Sequence, residues 1–273
     1  MIAEIVSNRN ISGKYYEMEL RCPELTVEVN PGQFFMLRVR EGHDPYLRRP
    51  FSVYRLGHRK GIPIASLLYK VVGQGTQVMS EIEKGEKVDM MGPLGNGFGI
   101  PSRMKTALLV AGGIGLPPVL FLAESMRRRS RGRRDIIFFY GGQSKVDIVD
   151  LDRIQKSSTE VKICTEDGTL GSRMLVTEPL EEYLKPGEKT KAERESAMIF
   201  ACGPKGMLKA VSSIAKRYAV PCQLSLESYM ACGFGACLGC VVRVHSKEGD
   251  GIGHERVCKE GPIFDAERII WDE

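Results

Sequence analysis

The chain has 273 residues, 42% of them hydrophobic and 27% charged, which excludes a disordered or fibrous polypeptide and leaves room for two or three domains with cores of their own. Its net charge of +5 owes much to one run, Arg127 to Arg134; the run has no interleaved aromatics and falls where a helix should end, so it reads as a basic helix exit and not as a nucleic-acid patch. Eight cysteines accompany an opening, "MIAEIVSNRN", without a basic start and apolar run, which argues against a disulfide framework and for a cytoplasmic protein.

In chain order, the first hundred residues read as short strands: "AEIVSN", "YYEMELR", "QFFMLRVR", "PFSVYRL", "ASLLYKVV" and "EKVDMMGPL", punctuated by Pro31-Gly32, Gly57, Gly61 and Gly85. Strands so evenly spaced suggest a closed β-barrel, with one short helix over Thr76 to Ile82. The middle of the chain changes rhythm. Thr106 to Ala123 carries no charge for 18 residues, long enough to consider a membrane span. Gly112, Gly113, Gly115, Pro117 and Pro118 interrupt it, so a strand, a tight loop and a helix are expected and no membrane partner. Strand and helix then alternate: "PPVLFLAESMRRR" (helix), "RDIIFFYGG" (strand), "VDIVDLDRIQK" (helix), "EVKICTEDG" (strand), "LVTEPLEEYL" (helix), "SAMIFACG" (strand) and "KGMLKAVSSIAKRYA" (helix). That order implies a parallel α/β sheet covered on both faces. Lys185 to Ser196 is expected to be a polar surface loop, and from about Gln223 short strands surround a cysteine cluster. The expected domains are 1–101, 102–222 and 223–273, and no internal repeat is present.

The strongest chemical signal is Cys232-x4-Cys237-x2-Cys240 followed, after 17 intervening residues, by Cys258. The first part is the spacing of plant-type [2Fe–2S] ferredoxins. Two irons need four thiolates around a compact core, and Gly233, Gly235 and Gly239 permit the positive φ angles of a loop curling round it. A zinc site is the alternative, but zinc usually takes two separated C-x2-C pairs, and only one is present. Cys22, Cys164, Cys202 and Cys222 are scattered and read as small buried hydrophobes. His43, His58, His245 and His254 form no ligand pair, and no nucleophile–base arrangement for hydrolysis is visible. The glycines of "VAGGIGLPPV" follow a strand and open a helix without matching G-x-G-x-x-G. "RRPFSV" taken alone is a strand with an early proline.

Barrel, parallel α/β domain and [2Fe–2S] tail together resemble the ferredoxin-reductase superfamily of flavoproteins. Arg49-Pro50-Phe51-Ser52 matches its flavin motif. The resemblance implies that Arg49 binds the FAD pyrophosphate, that Phe51 contacts the flavin and that the Ser52 hydroxyl approaches flavin N5. Gly75 and Thr76 match the pair opening a helix beneath the pyrophosphate, where free N–H groups suit an anion. Leu68, Tyr69 and Lys70 would complete the strand under the ribityl and phosphates, and "GPLGNGF", Gly92 to Phe98, matches the turn leaving the flavin domain. Gly112, Gly113 and Gly115 match the superfamily's nucleotide-binding turn; Cys202, Gly203 and Pro204 match its second signature, placed beside the nicotinamide at the strand ends.

Within the superfamily, "SLESYMACGFGACLGCVV" and "RVCKEGPIFDAERI" are similar to the electron-transfer subunits of NAD-dependent (type B) dihydroorotate dehydrogenases. That resemblance implies FAD, a [2Fe–2S] cluster and NAD as cofactors. It also implies a partner, the FMN-containing catalytic subunit, in an assembly with two copies of each chain serving pyrimidine biosynthesis. Related sulfhydrogenase and transhydrogenase subunits share the first two domains, but the transhydrogenase type has aspartate where this chain has Cys232. A self-sufficient NAD(P)H–acceptor reductase and a zinc-bearing interaction module remain alternatives. NAD against NADP stays open, since Gln143-Ser144-Lys145 follows the strand where an acid would favour NAD.

Overall fold

The computed structural model describes residues 1–40, 42, 44–130, 134–188, 190–246 and 251–271; His43, Arg131 and Arg133 lie outside them. The N-terminal part contains β1 (Ile2–Ser12), β2 (Tyr15–Arg21), β3 (Phe34–Arg38), β4 (Arg49–Ser52), β5 (Arg55–Arg59), β6 (Ile62–Lys70), α1 (Gln74–Ser80) and β7 (Lys87–Leu94). Its seven strands form one antiparallel sheet in the order β4-β3-β7-β1-β2-β6-β5. The two edge strands, β4 and β5, are consecutive in the chain and joined only by Val53 and Tyr54. Laid flat, such a sheet would hold its edges about 29 Å apart, at ~4.8 Å per strand, whereas a two-residue link reaches about 10 Å. The sheet must therefore curl into a barrel. The link itself completes the seam: Val53 N donates to Gln33 O and Tyr54 N to Ser66 O, each at 3.0 Å. The expected strand "PFSVYRL" is thus two strands meeting at this corner. Ile5, Met18, Phe35, Leu67 and Met90 fill the interior, and Phe121 joins them from the next domain.

The central domain has β8 (Thr106–Gly112), α2 (Leu116–Ser130), β9 (Asp135–Gly142), α3 (Leu151–Ser157), β10 (Glu160–Thr165), β11 (Ser172–Arg173), α4 (Thr177–Leu184), α5 (Lys191–Glu195), β12 (Ala197–Cys202), α6 (Lys205–Tyr218) and β13 (Cys222–Ser225). The tail adds β14 (Val241–His245), β15 (Ile252–Arg256) and β16 (Ile263–Asp265). The central sheet runs β11-β10-β9-β8-β12-β13-β16, parallel except for the β13–β16 pair. Every residue of β12 is buried, as a strand covered on both faces requires. Alternate residues feed two cores, Leu108 and Ile199 on the face with α4 and α6, Leu109 and Phe200 on the face with α2. From β8 the chain moves to β9 and β10 on one side and returns to β12 on the other, leaving a crevice at the carboxyl ends of the strands. β13 crosses residue 222 and β16 returns from the tail, so the tail shares this sheet.

The expected helix over "VDIVDLDRIQK" begins only at Leu151. Before it stand a 3-10 turn, Lys145–Asp147, and Asp150 with φ of 55°. Docking on the barrel explains the change: Asp147 accepts from Tyr15 Oη and Lys70 Nζ, both at 2.8 Å, and Asp150 accepts from Tyr54 Oη. The helix near Thr76 spans Gln74–Ser80 instead of reaching Ile82. The expected loop from Lys185 to Ser196 contains α5, because Thr190 and Glu193 cap each other reciprocally. Arg127, Arg128 and Arg129 form the exposed last turn of α2, Arg129 pairing with Glu28 at 2.8 Å. Among the described residues no helix is long and apolar enough to cross a membrane.

Candidate functional site

The cysteine loop joins β13 to β14, and Cys258 lies in the turn between β15 and β16. Gly233 and Gly235 take φ of 78° and 92°. Gly239 does not; Leu238, at φ 58°, makes the third left-handed step in its place. A Cβ on Gly233 would lie 2.6 Å from Met36 Cγ, so the loop rests directly on the barrel wall. Cys232 is half-buried, Cys237 exposed, Cys240 and Cys258 buried. The thiols pair two and two. Cys237 N donates to Cys232 Sγ and Cys258 N to Cys240 Sγ, each at 3.4 Å. Desolvation would raise the Cys232 thiol, but backbone N–H groups of Cys237, Phe234 and Ala236 outweigh it and hold the thiol at about 6. Burial, then the neighbouring Cys240, pushes Cys258 up to about 12. Four thiols in two pairs, with N–H groups aimed at sulfur, fit a binuclear iron–sulfur cluster, in which each iron takes two protein ligands. A structural zinc wants its four ligands around one point, and among the described residues no three metal-ligating side chains are so grouped.

The flavin motif lies on β4, β6 and α1. The Arg49 guanidinium covers the start of α1: a Cβ on Gly75 would be 2.8 Å from Arg49 Nε. Thr76 Oγ1 accepts from Val72 N at 2.9 Å and Gly73 N at 3.2 Å, closing the loop before the helix. Pro50 faces Met36 across the β3–β4 ladder, and half-buried Ser52 faces Phe34. Phe51 meets Tyr69 edge-on at 6.0 Å. Tyr69 turns into the barrel and donates to Asn8 Oδ1 at 2.9 Å, so its backbone is what it can offer a cofactor. Leu68 faces the other way, into the core shared with the central domain, and Lys70 reaches across to Asp147. The residues present fit an anionic dinucleotide whose phosphates meet Arg49 and the N–H groups opening α1. Arg49→Ala removes a charge-assisted contact worth roughly 1.5–3 kcal/mol. It is expected to weaken FAD retention about tenfold or more with the fold kept, read from flavin released on dilution; unchanged occupancy would show that another residue holds the phosphate.

A cleft of about 550 Å³ opens at the carboxyl ends of the parallel strands, lined by Gly112 at the end of β8, by Gly113 and Gly115 after it, and by Gly203 and Pro204 after β12. These two turns touch: a Cβ on Gly115 would lie 2.2 Å from Cys202 O. The Cys202 thiol is buried against Ser225 and pushed up by desolvation, leaving Gly203 and Pro204 to face the cleft. Three carboxylates that sequence reasoning passed over also line it: Asp147, Glu166 and Glu227. Burial opposes ionisation of Asp147, yet the hydrogen bonds from Lys70 and Tyr15 lower its pKa. Glu227 follows β13, the strand paired with β12, which is the one signal that could have pointed to it. Glu166 continues the β9–β10 pairing, its N donating to Gly142 O at 3.1 Å. It therefore stands beside Gln143, on the opposite side of the glycine turn from Pro204.

Fold and site together define a flavin- and nicotinamide-dependent reductase with an iron–sulfur tail. The chain matches an oxidoreductase FAD-binding domain over residues 3–98 and an oxidoreductase NAD-binding domain over 109–213. Residues 227–270 match the iron–sulfur cluster binding domain of dihydroorotate dehydrogenase B. It is 34% identical to the electron transfer subunit of dihydroorotate dehydrogenase B (NAD(+)) of Desulforamulus reducens over 270 residues, 99% of this chain and 98% of that protein. The same subunit from Caldanaerobacter subterraneus subsp. tengcongensis is 35% identical, with 99% and 98% covered. The chain belongs to the family of electron transfer subunits of dihydroorotate dehydrogenase B (NAD(+)). Among solved structures, an NADH-dependent reduced ferredoxin-NADP oxidoreductase superposes with a TM-score of 0.80 at 27% identity, covering 98% of this chain and 90% of that one. Phthalate dioxygenase reductase, 18% identical with a TM-score of 0.61 over 95% of this chain and 77% of its own, shares the fold. As its domains indicate, the protein is an electron-transferring oxidoreductase subunit using FAD, NAD and an iron–sulfur cluster.

Proposed function

We propose that this chain passes electrons from an FMN-containing dihydroorotate dehydrogenase catalytic subunit to NAD+ in cytoplasmic pyrimidine biosynthesis, in an assembly with two copies of each chain. The observation carrying this reading is the position of the cysteine loop. Its inner side rests on Met36 and Leu94 of the barrel, while its outer side exposes Tyr229, Phe234, Leu238 and Val241. An exposed apolar group of this kind marks a docking surface, and here it surrounds the groups that would hold the cluster. Bound FAD and cluster supply the exchange between hydride and single electrons; the chain's own residues bind and orient. Cys232, Cys237, Cys240 and Cys258 would hold a [2Fe–2S] cluster and aim backbone N–H groups at its sulfurs. Arg49, Gly75 and the loop closed by Thr76 receive the FAD phosphates, with Ser52 and the backbone of Phe51 and of Leu68 to Lys70 along the cofactor, the Phe51 ring being packed with Tyr69 inside the barrel. Gly112, Gly113 and Gly115 let the NAD pyrophosphate approach the backbone, and Gly203 and Pro204 orient the nicotinamide.

The domains matched are for FAD, NAD and an iron–sulfur cluster, and the FMN and the base that abstract hydrogen from dihydroorotate are assigned here to the catalytic subunit. The isolated chain is therefore expected to oxidise NADH with artificial acceptors and to leave dihydroorotate untouched. Co-expression with the catalytic subunit should give a stable complex that reduces NAD+. Turnover of dihydroorotate by the chain alone, or a catalytic subunit that neither co-purifies nor gains NAD+ activity, would favour a self-sufficient reductase.

Coenzyme choice rests on Glu166. The acid missing after β9 is supplied by the neighbouring strand, where it can accept from a ribose 2′-hydroxyl and repel a 2′-phosphate. Glu166→Gln is expected to cut the preference for NADH over NADPH by about tenfold to a hundredfold, the worth of a hydrogen bond to a charged group, measured as the ratio of kcat/KM values. An unaltered ratio would place discrimination elsewhere.

A further inference from the structure

Resting on the cluster reading, a second residue set draws the eye to the turn that carries the fourth cysteine. Arg256 ends β15, two residues before Cys258. Its Nη1 donates to Gly235 O at 2.8 Å, and Gly235 lies between Cys232 and Cys237. The same guanidinium engages Glu260 through Nε at 2.9 Å and through Nη2, and Arg256 N donates to Glu260 Oε2 at 2.7 Å. Glu260 N returns a bond to Arg256 O at 2.9 Å. The turn from 256 to 260, with Cys258 at its centre, is thus closed at both ends by one ion pair. Packing leaves the loop little freedom at the contact: Gly235 has φ of 92°, and a Cβ there would lie 2.6 Å from Lys259 Cδ. The barrel holds the turn from its other side, Asn96 Nδ2 donating to Lys259 O at 3.1 Å and Glu260 O at 2.9 Å.

The loop brings three thiols and the turn brings one, from segments that are separate in sequence. Arg256 adds a charged side chain that bonds to both, beside the Cys258 N to Cys240 Sγ bond. It also brings a full positive charge next to ligands that are all anionic when bound. Two ferric ions, two sulfides and four thiolates sum to a charge of about −2, and one-electron reduction, which needs no proton, makes this about −3. A cation at that distance favours the reduced form and an anion disfavours it.

We propose that Arg256 is a positioning residue for the cluster. It fastens the three-cysteine loop to the Cys258 turn, and with Glu260 it sets the cluster's reduction potential by opposed charges. Arg for this task is chosen by geometry, since its fork can meet a carbonyl and a carboxylate at once while Lys offers a single point charge.

The test uses the full-length, FAD-loaded chain purified anaerobically, as wild type, Arg256→Lys, Arg256→Gln and Glu260→Gln. Iron and acid-labile sulfide, rate of iron loss to a chelator, and midpoint potential by dithionite titration are measured. Arg256→Gln should lower the potential and Glu260→Gln should raise it. Arg256→Lys should keep the potential near wild type yet lose iron about tenfold faster or more, the usual scale for an outer-shell partner, because the charge is kept and the fork is lost. A variant Arg256→Gln that retains FAD but assembles no cluster also supports the clamp, and the sign of the charge effect is then read from Glu260→Gln. Potentials of Arg256→Gln and Glu260→Gln equal to wild type overturn the charge role, and chelator kinetics of Arg256→Lys equal to wild type overturn the clamp. Zinc in place of iron in the wild-type chain would overturn the cluster reading itself, a result distinguished from the others by elemental content alone.

Discussion

Cys258→Ser chain, purified anaerobically, is expected to fall from about two irons and two labile sulfides to nearly none, with its FAD absorbance retained. The effect is large because Cys258 is buried at 2% exposure and, among the described residues, the cysteines outside the loop and its turn, Cys22, Cys164, Cys202 and Cys222, are all buried as well, so no exposed thiol from elsewhere can swing in to replace it. Serine offers a hydroxyl that stays protonated where a thiolate is needed. FAD should survive because Arg49 and Gly75 meet at the start of α1, built from strands and a helix that do not include the tail. Cys22→Ser and Cys164→Ser are the controls: both cysteines lie outside the cluster loop and its turn and are buried, and burial raises both thiols to about 11. Iron content should be unchanged in them. A Cys258→Ser chain that keeps its full iron would show that the fourth ligand is another residue.

The second large effect is expected at Gly115. Replacing it with Ala puts a methyl group 2.2 Å from Cys202 O and 2.6 Å from Gly203 N, both backbone atoms that cannot rotate away. Either the turn after β8 or the turn after β12 must then shift by about 1 Å, and a displacement of that size between a bound substrate and its reaction partner costs on the order of a hundredfold in rate. NADH oxidation with an artificial acceptor should fall accordingly, while flavin and iron stay bound. Gly57→Ala, where an added Cβ meets nothing within 4 Å, should leave the rate unaltered. A Gly115→Ala chain with wild-type kcat/KM for NADH would mean that the two turns do not jointly hold the nucleotide.

What could be read from the sequence was whatever chemistry forces into short spacing. Four thiolates around two irons demand close cysteines, and a strand buried on both faces demands an unbroken apolar run, so the cluster loop, β8 and β12 were all visible. Closure of the barrel was visible only as a tendency; its cause is that Val53 and Tyr54 must join opposite edges of one sheet, a fact of topology and not of periodicity. Glu166 was hidden because Gln143 and Glu166 are far apart along the chain and are made neighbours by the parallel pairing of β9 and β10. The helix from Leu151 is shorter than its sequence pattern suggests because Asp147 and Asp150, which look like polar faces of an amphipathic helix, are bonded to Tyr15, Lys70 and Tyr54 of the barrel. In the stretch from Lys185 to Ser196 the signal was present in Thr190 and Glu193, a Ser/Thr-x-x-Glu cap, but the surrounding charges masked it.

The return of β16 to the edge of the central sheet has a consequence for electron flow. Gln223, Leu224 and Ser225 of β13 pair with Asp265, Phe264 and Ile263, so the segment bearing Cys258 is stitched at its far end to the nucleotide sheet, while Asn96 stitches it to the barrel. A tail on a tether would sample many separations and deliver electrons only when it happened to swing close. This one is fastened to both the nucleotide sheet and the barrel, so the gap an electron must cross would be set by the fold. Transfer would then be gated by docking of the partner and by arrival of NAD+, with no search by the carrier in between.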